Sequence, residues 1–163
     1  MKAEKKNPYV LILYYSSGGH VKKLANQIAL GIAMSKKDKL VYCFDGDGAA
    51  LMHMGSLAIL GQSGANNLVH IVFNNGAHAS VGGQPTVGLK VDLCKIANAC
   101  GYSRCVMVEN EHDLKSALQI NDSILGPVFV EVRTSAENRN GIGRPTLSPM
   151  ENKTELMKFL GEN

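Results

Sequence analysis

Two short stretches carry residue types suited to gripping a phosphorylated ligand through a hard cation. The first is Gly46-Asp47-Gly48, followed by Ala49, Ala50 and a helical pattern. Two glycines free the backbone where a strand gives way to a helix, and the amides of Gly48, Ala49 and Ala50 can meet a phosphate at the helix start. Asp47 adds a carboxylate beside that phosphate, where a hard cation sits. A G-D-G turn alone is often only a turn. The second stretch, Asn74-Asn75-Gly76-Ala77-His78, sharpens the reading. Twenty-five residues lie between Gly48 and Asn74, room for one helix and the next strand. Asn74 is therefore expected to end the neighbouring strand with its amide oxygen beside Asp47. Magnesium takes about six oxygens in a tight octahedron, few of them from protein. Asp47, Asn74 and a loop carbonyl near Gly76 can give three, leaving diphosphate oxygens and a water to complete the shell.

The elements that must position these residues follow from periodicity. Five short apolar runs, Tyr9–Tyr15, Leu40–Asp45, Leu68–Asn74, Arg104–Glu109 and Pro127–Arg133, read as strands covered on both faces. Between and after them, His20–Met34, Ala49–Gln62, Val91–Cys100, Glu111–Ser123 and Glu151–Leu160 read as helices. In the first helix Val21, Leu24, Ile28 and Ile32 share one face at spacings of three and four, which predicts a core-facing stripe. Strand alternating with helix predicts an α/β fold: a three-layer α/β/α sandwich around a five-stranded parallel sheet, in one domain spanning residues 1–163. The strand order is left open between a decarboxylase-like and a flavodoxin-like arrangement. Ligands of such sheets bind beyond the carboxyl ends of the strands. A third strand end, Ser16-Ser17-Gly18-Gly19-His20, opens on the same edge.

Bulk properties exclude other classes. A formal charge of +3 with scattered lysines argues against nucleic acid. No apolar run approaches a membrane span and no signal-peptide pattern occurs, so the chain reads as cytoplasmic. Cys43, Cys94, Cys100 and Cys105 form no C-x-x-C pair and read as free thiols. His53 and His112 read as packed or solvated, and His70, inside a strand, as a satisfied core residue.

The G-D-G and N-N pair at this spacing resembles the thiamine-diphosphate fingerprint. From about Gln27 to the end, the chain resembles the C-terminal domain of the phosphonopyruvate decarboxylases, with the sulfopyruvate decarboxylases as near relatives. The segments that carry this are QIALGIA, DGDGAALMHMGSLAILG, NNGAHASVGGQPTVG and GRPTLSPMENK. The resemblance implies thiamine diphosphate and Mg2+ as cofactors, with Asp47, Asn74 and the Gly76 carbonyl as magnesium ligands. Gly46, Gly48, Ala49, Ala50 and Ala77 then lie along the cofactor. It also implies decarboxylation of a small 2-oxoacid, phosphonopyruvate giving phosphonoacetaldehyde and carbon dioxide. His78 is a candidate catalytic residue, and Ser80, Gln84 and Thr86 are candidates for contact with substrate. Gly82-Gly83-Gln84-Pro85 can also simply shape a turn.

The first 26 residues depart from that pattern. Tyr9 to His20, with Leu24 and Ala25, resembles the first strand, phosphate loop and helix start of the flavodoxin-like quinone reductases. There Ser16, Ser17, Gly18, Gly19 and His20 are the implied phosphate cradle. This implies FMN as an alternative ligand, or a chimeric scaffold that binds none. Gly18 replaces the bulky residue expected to wedge thiamine diphosphate into its bent form, which implies a weakly held cofactor. Nothing in the sequence matches the pyrimidine-binding domain with its activating glutamate. A pyrimidine-domain partner chain or a homo-oligomer is therefore implied, and little activity from the isolated chain.

Overall fold

In the computed structural model, residues 9–12, 20–120, 125–137, 141, 143 and 146–161 are described, with side chains except at 9–12, 20–23 and 80. The apolar runs become strands β1 (Tyr9–Ile12), β2 (Leu40–Gly46), β3 (Leu68–Asn74), β6 (Arg104–Val108) and β7 (Val128–Arg133), joined in one parallel sheet of order β1-β2-β3-β7-β6. The order differs from the 2-1-3-4-5 of flavodoxins. Here β1 is an edge strand and β2, not β1, lies beside β3. A two-stranded antiparallel ribbon, β4 (Ala77–His78) and β5 (Gln84–Pro85), caps the tip of β3. Its bend passes through Gly82 and Gly83, both at positive φ, so the glycine pair does shape a turn.

The helices are α1 (His20–Ser35), α2 (Asp47–Met52), α3 (Met54–Gly61), α4 (Leu93–Ala99), α5 (Glu111–Ala117) and α6 (Pro149–Leu160). The helix expected over Ala49–Gln62 is two, broken at His53 (φ −128°, ψ 42°). Its N–H straddles the carbonyls of Ala49 and Ala50 before the chain turns into α3. Local capping sets the other boundaries. Asp92 and Asn110 accept the backbone N–H groups of Lys95 and Asp113. Ser148 and Glu151 close a reciprocal capping box behind Pro149.

The sheet is covered unequally. On one face α1, α3, α4 and α6 enclose Val41, Cys43, Leu68, Val72 and Phe129. On the other, α5 packs on Val69, Ile71, Val128, Val130 and Val132, with Tyr42 and Phe44 partly buried beside them. In α1 the expected stripe is rotated. The residues against the sheet are Ala25, Ala29 and Ala33, whereas Leu24 and Ile28 are exposed. Small side chains let the helix axis approach the sheet, which turns the larger ones outward.

Asn67 fastens the bend between α1 and β2, although nothing in the sequence marks it. Its buried side-chain amide donates to the carbonyls of Ala33, Lys36 and Lys39 at 2.9, 3.1 and 2.9 Å. Replacing Asn67 with Ala removes this donor from all three carbonyls, of which Lys36 keeps the Lys39 N–H, and should cost about 1–3 kcal/mol in a urea unfolding titration. An unchanged midpoint would show that water substitutes fully.

Candidate functional site

The parallel register of β2 and β3 pairs Gly46 with Phe73, so Asp47 and Asn74 leave adjacent strand tips side by side. Both are buried. Their convergence is measured by Gly88, in the segment returning from the β4–β5 ribbon. A methyl carbon built on Gly88 would lie 2.6 Å from Asp47 Oδ2 and 2.7 Å from Asn74 Oδ1. One charged and one amide oxygen thus face a common point, and only a glycine backbone passes it.

The orientation of the Asn74 amide is fixed by its nitrogen. Nδ2 donates to the Gly88 carbonyl at 2.9 Å and to Glu131 Oε1 at 2.8 Å. Neither acceptor can donate, so Oδ1 must be the atom turned toward Asp47. That oxygen accepts only the Gly76 N–H, at 3.2 Å, and keeps a lone pair for a cation. Gly88 N–H is bound by Thr86 Oγ1 at 3.1 Å, and that hydroxyl donates to Asp47 Oδ2. Thr86 is thus a clasp on the carboxylate. The Gly76 carbonyl, expected to face a cation, accepts the Thr86 N–H at 2.8 Å and has its second lone pair left for one.

Helix α2 begins at Asp47, two residues earlier than the pattern suggested. The amides without an intrahelical partner are those of Asp47, Gly48 and Ala49, while Ala50 donates within the first turn. The His78 ring packs directly over Gly48, where any side chain would overlap its Cε1 and Nδ1. This is a stronger reason for glycine than turn geometry alone. Ala77 is half-buried beside it, and Gln84 is exposed on β5 with its amide folded back over Gly82. The side chain of Ser80 and residues Ser16, Ser17, Gly18 and Gly19 lie outside what is described, and His20 is described only as the first residue of α1.

Behind the tips lies a buried polar layer that the sequence reading missed. Glu131, 1% exposed, receives the Asn74 amide and pairs with Arg133 Nε at 3.2 Å. Glu131 holds the Arg133 guanidinium above its ordinary pKa through their hydrogen bond and charge attraction. His70 is not the satisfied core residue expected. Nδ1 meets the Tyr102 hydroxyl at 2.9 Å, but Nε2 has no hydrogen-bond partner and lies 3.6 Å from Asp45 Oδ2. Tyr102 cannot ionise usefully there, because burial first and nearby thiol and carboxylate charges next raise its pKa well above normal. A lone acid in a strand such as Val-Phe-Val-Glu-Val-Arg, or a histidine in Leu-Val-His-Ile-Val, is the signal that would have exposed this layer.

An oxygen-only pair with one formal charge, beside free amides, suits magnesium with phosphate oxygens completing the shell. No group of three or more His, Cys, Asp or Glu that could hold a metal by itself occurs among the described residues. The residues therefore fit a metal–diphosphate unit.

Comparison with known proteins agrees. Residues 13–132 match the family described as thiamine pyrophosphate enzyme, C-terminal TPP binding domain. A phosphonopyruvate decarboxylase of Streptomyces viridochromogenes is 39% identical over 136 residues, 83% of this chain and 34% of that protein. Sulfopyruvate decarboxylase subunit beta of Methanococcus maripaludis is 32% identical over 137 residues, 84% of this chain and 72% of that subunit. A thiamine diphosphate-dependent 4-hydroxybenzoylformate decarboxylase of Rhodococcus jostii shares the fold, with a TM-score of 0.56 and 22% identity over 68% of this chain and 23% of that one. The chain spans about a third of the length of the phosphonopyruvate decarboxylases it matches. Since the family match includes both strand tips and the loop that closes over them, this chain belongs to the C-terminal thiamine-pyrophosphate-binding domains of the thiamine pyrophosphate enzymes.

Proposed function

We propose that this chain holds the magnesium–diphosphate end of thiamine diphosphate in a 2-oxoacid decarboxylase acting on phosphonopyruvate or a close analogue. The observation that carries the reading is the convergence of Asp47 Oδ2 and Asn74 Oδ1 on one point in front of Gly88. The chemistry such a cofactor supplies when bound is an electron sink for the pair released as carbon dioxide leaves the 2-oxoacid. Asp47 and Asn74 bind the cation, with the Gly76 carbonyl as third protein oxygen once its remaining lone pair is used. The amides of Gly48 and Ala49 bind the diphosphate. Thr86 sits at the carboxylate it clasps and orients it. His78, whose ring lies over Gly48 of the G-D-G turn, is our candidate to exchange a proton with substrate.

The pyrimidine end is supplied by another domain or chain. Leu24 and Ile28 on α1 and Ile59 on α3 stay exposed, as apolar surface that meets a partner does. The greater length of the decarboxylase relatives, and the subunit naming of the shorter one, support the same arrangement.

Isothermal titration calorimetry should show thiamine diphosphate binding only with magnesium present and no binding of FMN. Binding of FMN alone overturns the reading. Asp47→Ala should abolish the metal-dependent heat. Gly88→Ala forces a methyl group between the two ligand oxygens and should weaken that binding by about tenfold or more, while the overpacking lowers stability by about 1–3 kcal/mol in a urea titration. Full affinity in this variant would place the cation elsewhere. Phosphonopyruvate turnover by the chain alone should be slight.

A further inference from the structure

Glu131 has no place in the ligand set above, yet it is the most deeply buried carboxylate at the strand tips. Its strand neighbours Val130 and Val132 face the α5 side, while Glu131 itself points to the same side of the sheet as Val72 and Asn74. A buried carboxylate is costly unless its oxygens are hydrogen-bonded, and a leucine would serve the fold alone better. Both oxygens are engaged. Oε1 accepts from Asn74 Nδ2 at 2.8 Å and from Arg133 Nε at 3.2 Å, and Oε2 lies 4.0 Å from the Cys94 thiol. Arg133 is in turn 3.5 Å from Glu109, at the rim.

We infer that Glu131 is a positioning residue for the cation site: it holds the Asn74 amide so that oxygen, never nitrogen, faces the metal. This rests on the cation reading above. An asparagine amide is nearly symmetric in shape, and its nitrogen end would repel a cation. The Gly88 carbonyl takes one of its two N–H groups, but Gly88 belongs to a loop. Glu131 takes the other from a central strand, so the orientation persists if the loop opens to admit the ligand. Without Glu131 the amide can turn over, or can tilt to satisfy its free N–H elsewhere. Arg133 in its turn fixes the carboxylate.

The arrangement makes two separable demands. In metal-free protein the Asn74 side-chain amide resonances, identified by their loss in Asn74→Ala, should be resolved and slowly exchanging. Glu131→Leu should move them to the positions of exposed amides, whereas Glu131→Gln, whose oxygen can still accept, should leave them near the wild-type positions. In the full chain with thiamine diphosphate present, Mn2+ affinity read by electron paramagnetic resonance should fall about 10–100-fold in Glu131→Leu and be largely rescued in Glu131→Gln. Added to Asn74→Ala, Glu131→Leu should cost nothing more, because its effect passes through the amide. A further loss of the same size, or Asn74 amide signals unmoved by Glu131→Leu, overturns the assignment. If the wild-type chain binds no Mn2+, the cofactor reading fails, and the amide spectra still decide whether Glu131 orients Asn74.

Discussion

The alignment of two neighbouring strands governs everything at the tip of this sheet. Because β2 and β3 run parallel with Gly46 opposite Phe73, the residue after one strand and the last residue of the other end up on the helix-covered side together. Side chains alternate strictly along a strand, so a slip of one residue would send Asn74 to the opposite face. The alignment is held by Val41, Cys43, Leu68 and Val72, all fully buried under α1, α3 and α4. Those apolar residues are no part of the proposed ligand set, and their role in function is to prevent that slip.

The same side of the three central strands carries an unusual load of polar groups. Asp45 lies on β2 and Asp47 follows it, His70 and Asn74 lie on β3, and Glu131 lies on β7, all nearly inaccessible to water. Each must be hydrogen-bonded to be tolerated. Most are: Asp45 takes the Gly46 N–H at 2.9 Å, Asp47 takes the Thr86 hydroxyl, and Asn74 and Glu131 satisfy one another. His70 Nε2 remains unpaired, with the Asp45 carboxylate just beyond bonding distance. Burying that much polarity opposes folding, and proteins tolerate such local conflict mainly where a site needs it. The alanine face of α1 and the valine-rich side under α5 provide the ordinary packing that offsets it.

Much of this was legible in the sequence, and the remainder failed for identifiable reasons. The five strands and their parallel sense follow from apolar runs alternating with helical periodicity. The G-D-G and N-N pair was readable because its geometry depends on chain length between two strand tips rather than on side-chain packing. Gly88 and Glu131 were not readable as parts of the same site, and Thr86 was readable only as a candidate substrate contact, not as a clasp on Asp47. They reach it through a loop that folds back and a strand that inserts beside β3 only after β6 has been laid down, and one-dimensional spacing cannot reveal either closure. The α1 stripe was misjudged for another reason. Periodicity identifies faces but not which face wins, and here the slimmer alanine face packs against the sheet. The break at His53 had only a weak marker, Gly55 and Ser56 just beyond it, which the apolar pattern running through Ala49 to Gln62 outweighed.

The choice of ligand atoms explains why the site should favour a hard ion although thiols lie close by. Burial, with the Glu131 charge next, pushes the Cys94 thiol up to about 12, and burial aided by Asp45 does the same to Cys43. The thiolate, not the thiol, ligates soft metals, so neither sulfur competes at neutral pH. Cys43 is further occupied as donor to Asn26 Oδ1 at 3.1 Å. What the strand tips present is one carboxylate oxygen, one amide oxygen and backbone, a set that borderline and soft ions do not select. Burial, more than the Glu131 charge, holds the Cys94 thiol up, while an acceptor oxygen of the same Glu131 takes the Asn74 amide. Burial thus keeps sulfur out of the coordination chemistry, and a buried acceptor behind Asn74 keeps oxygen in it.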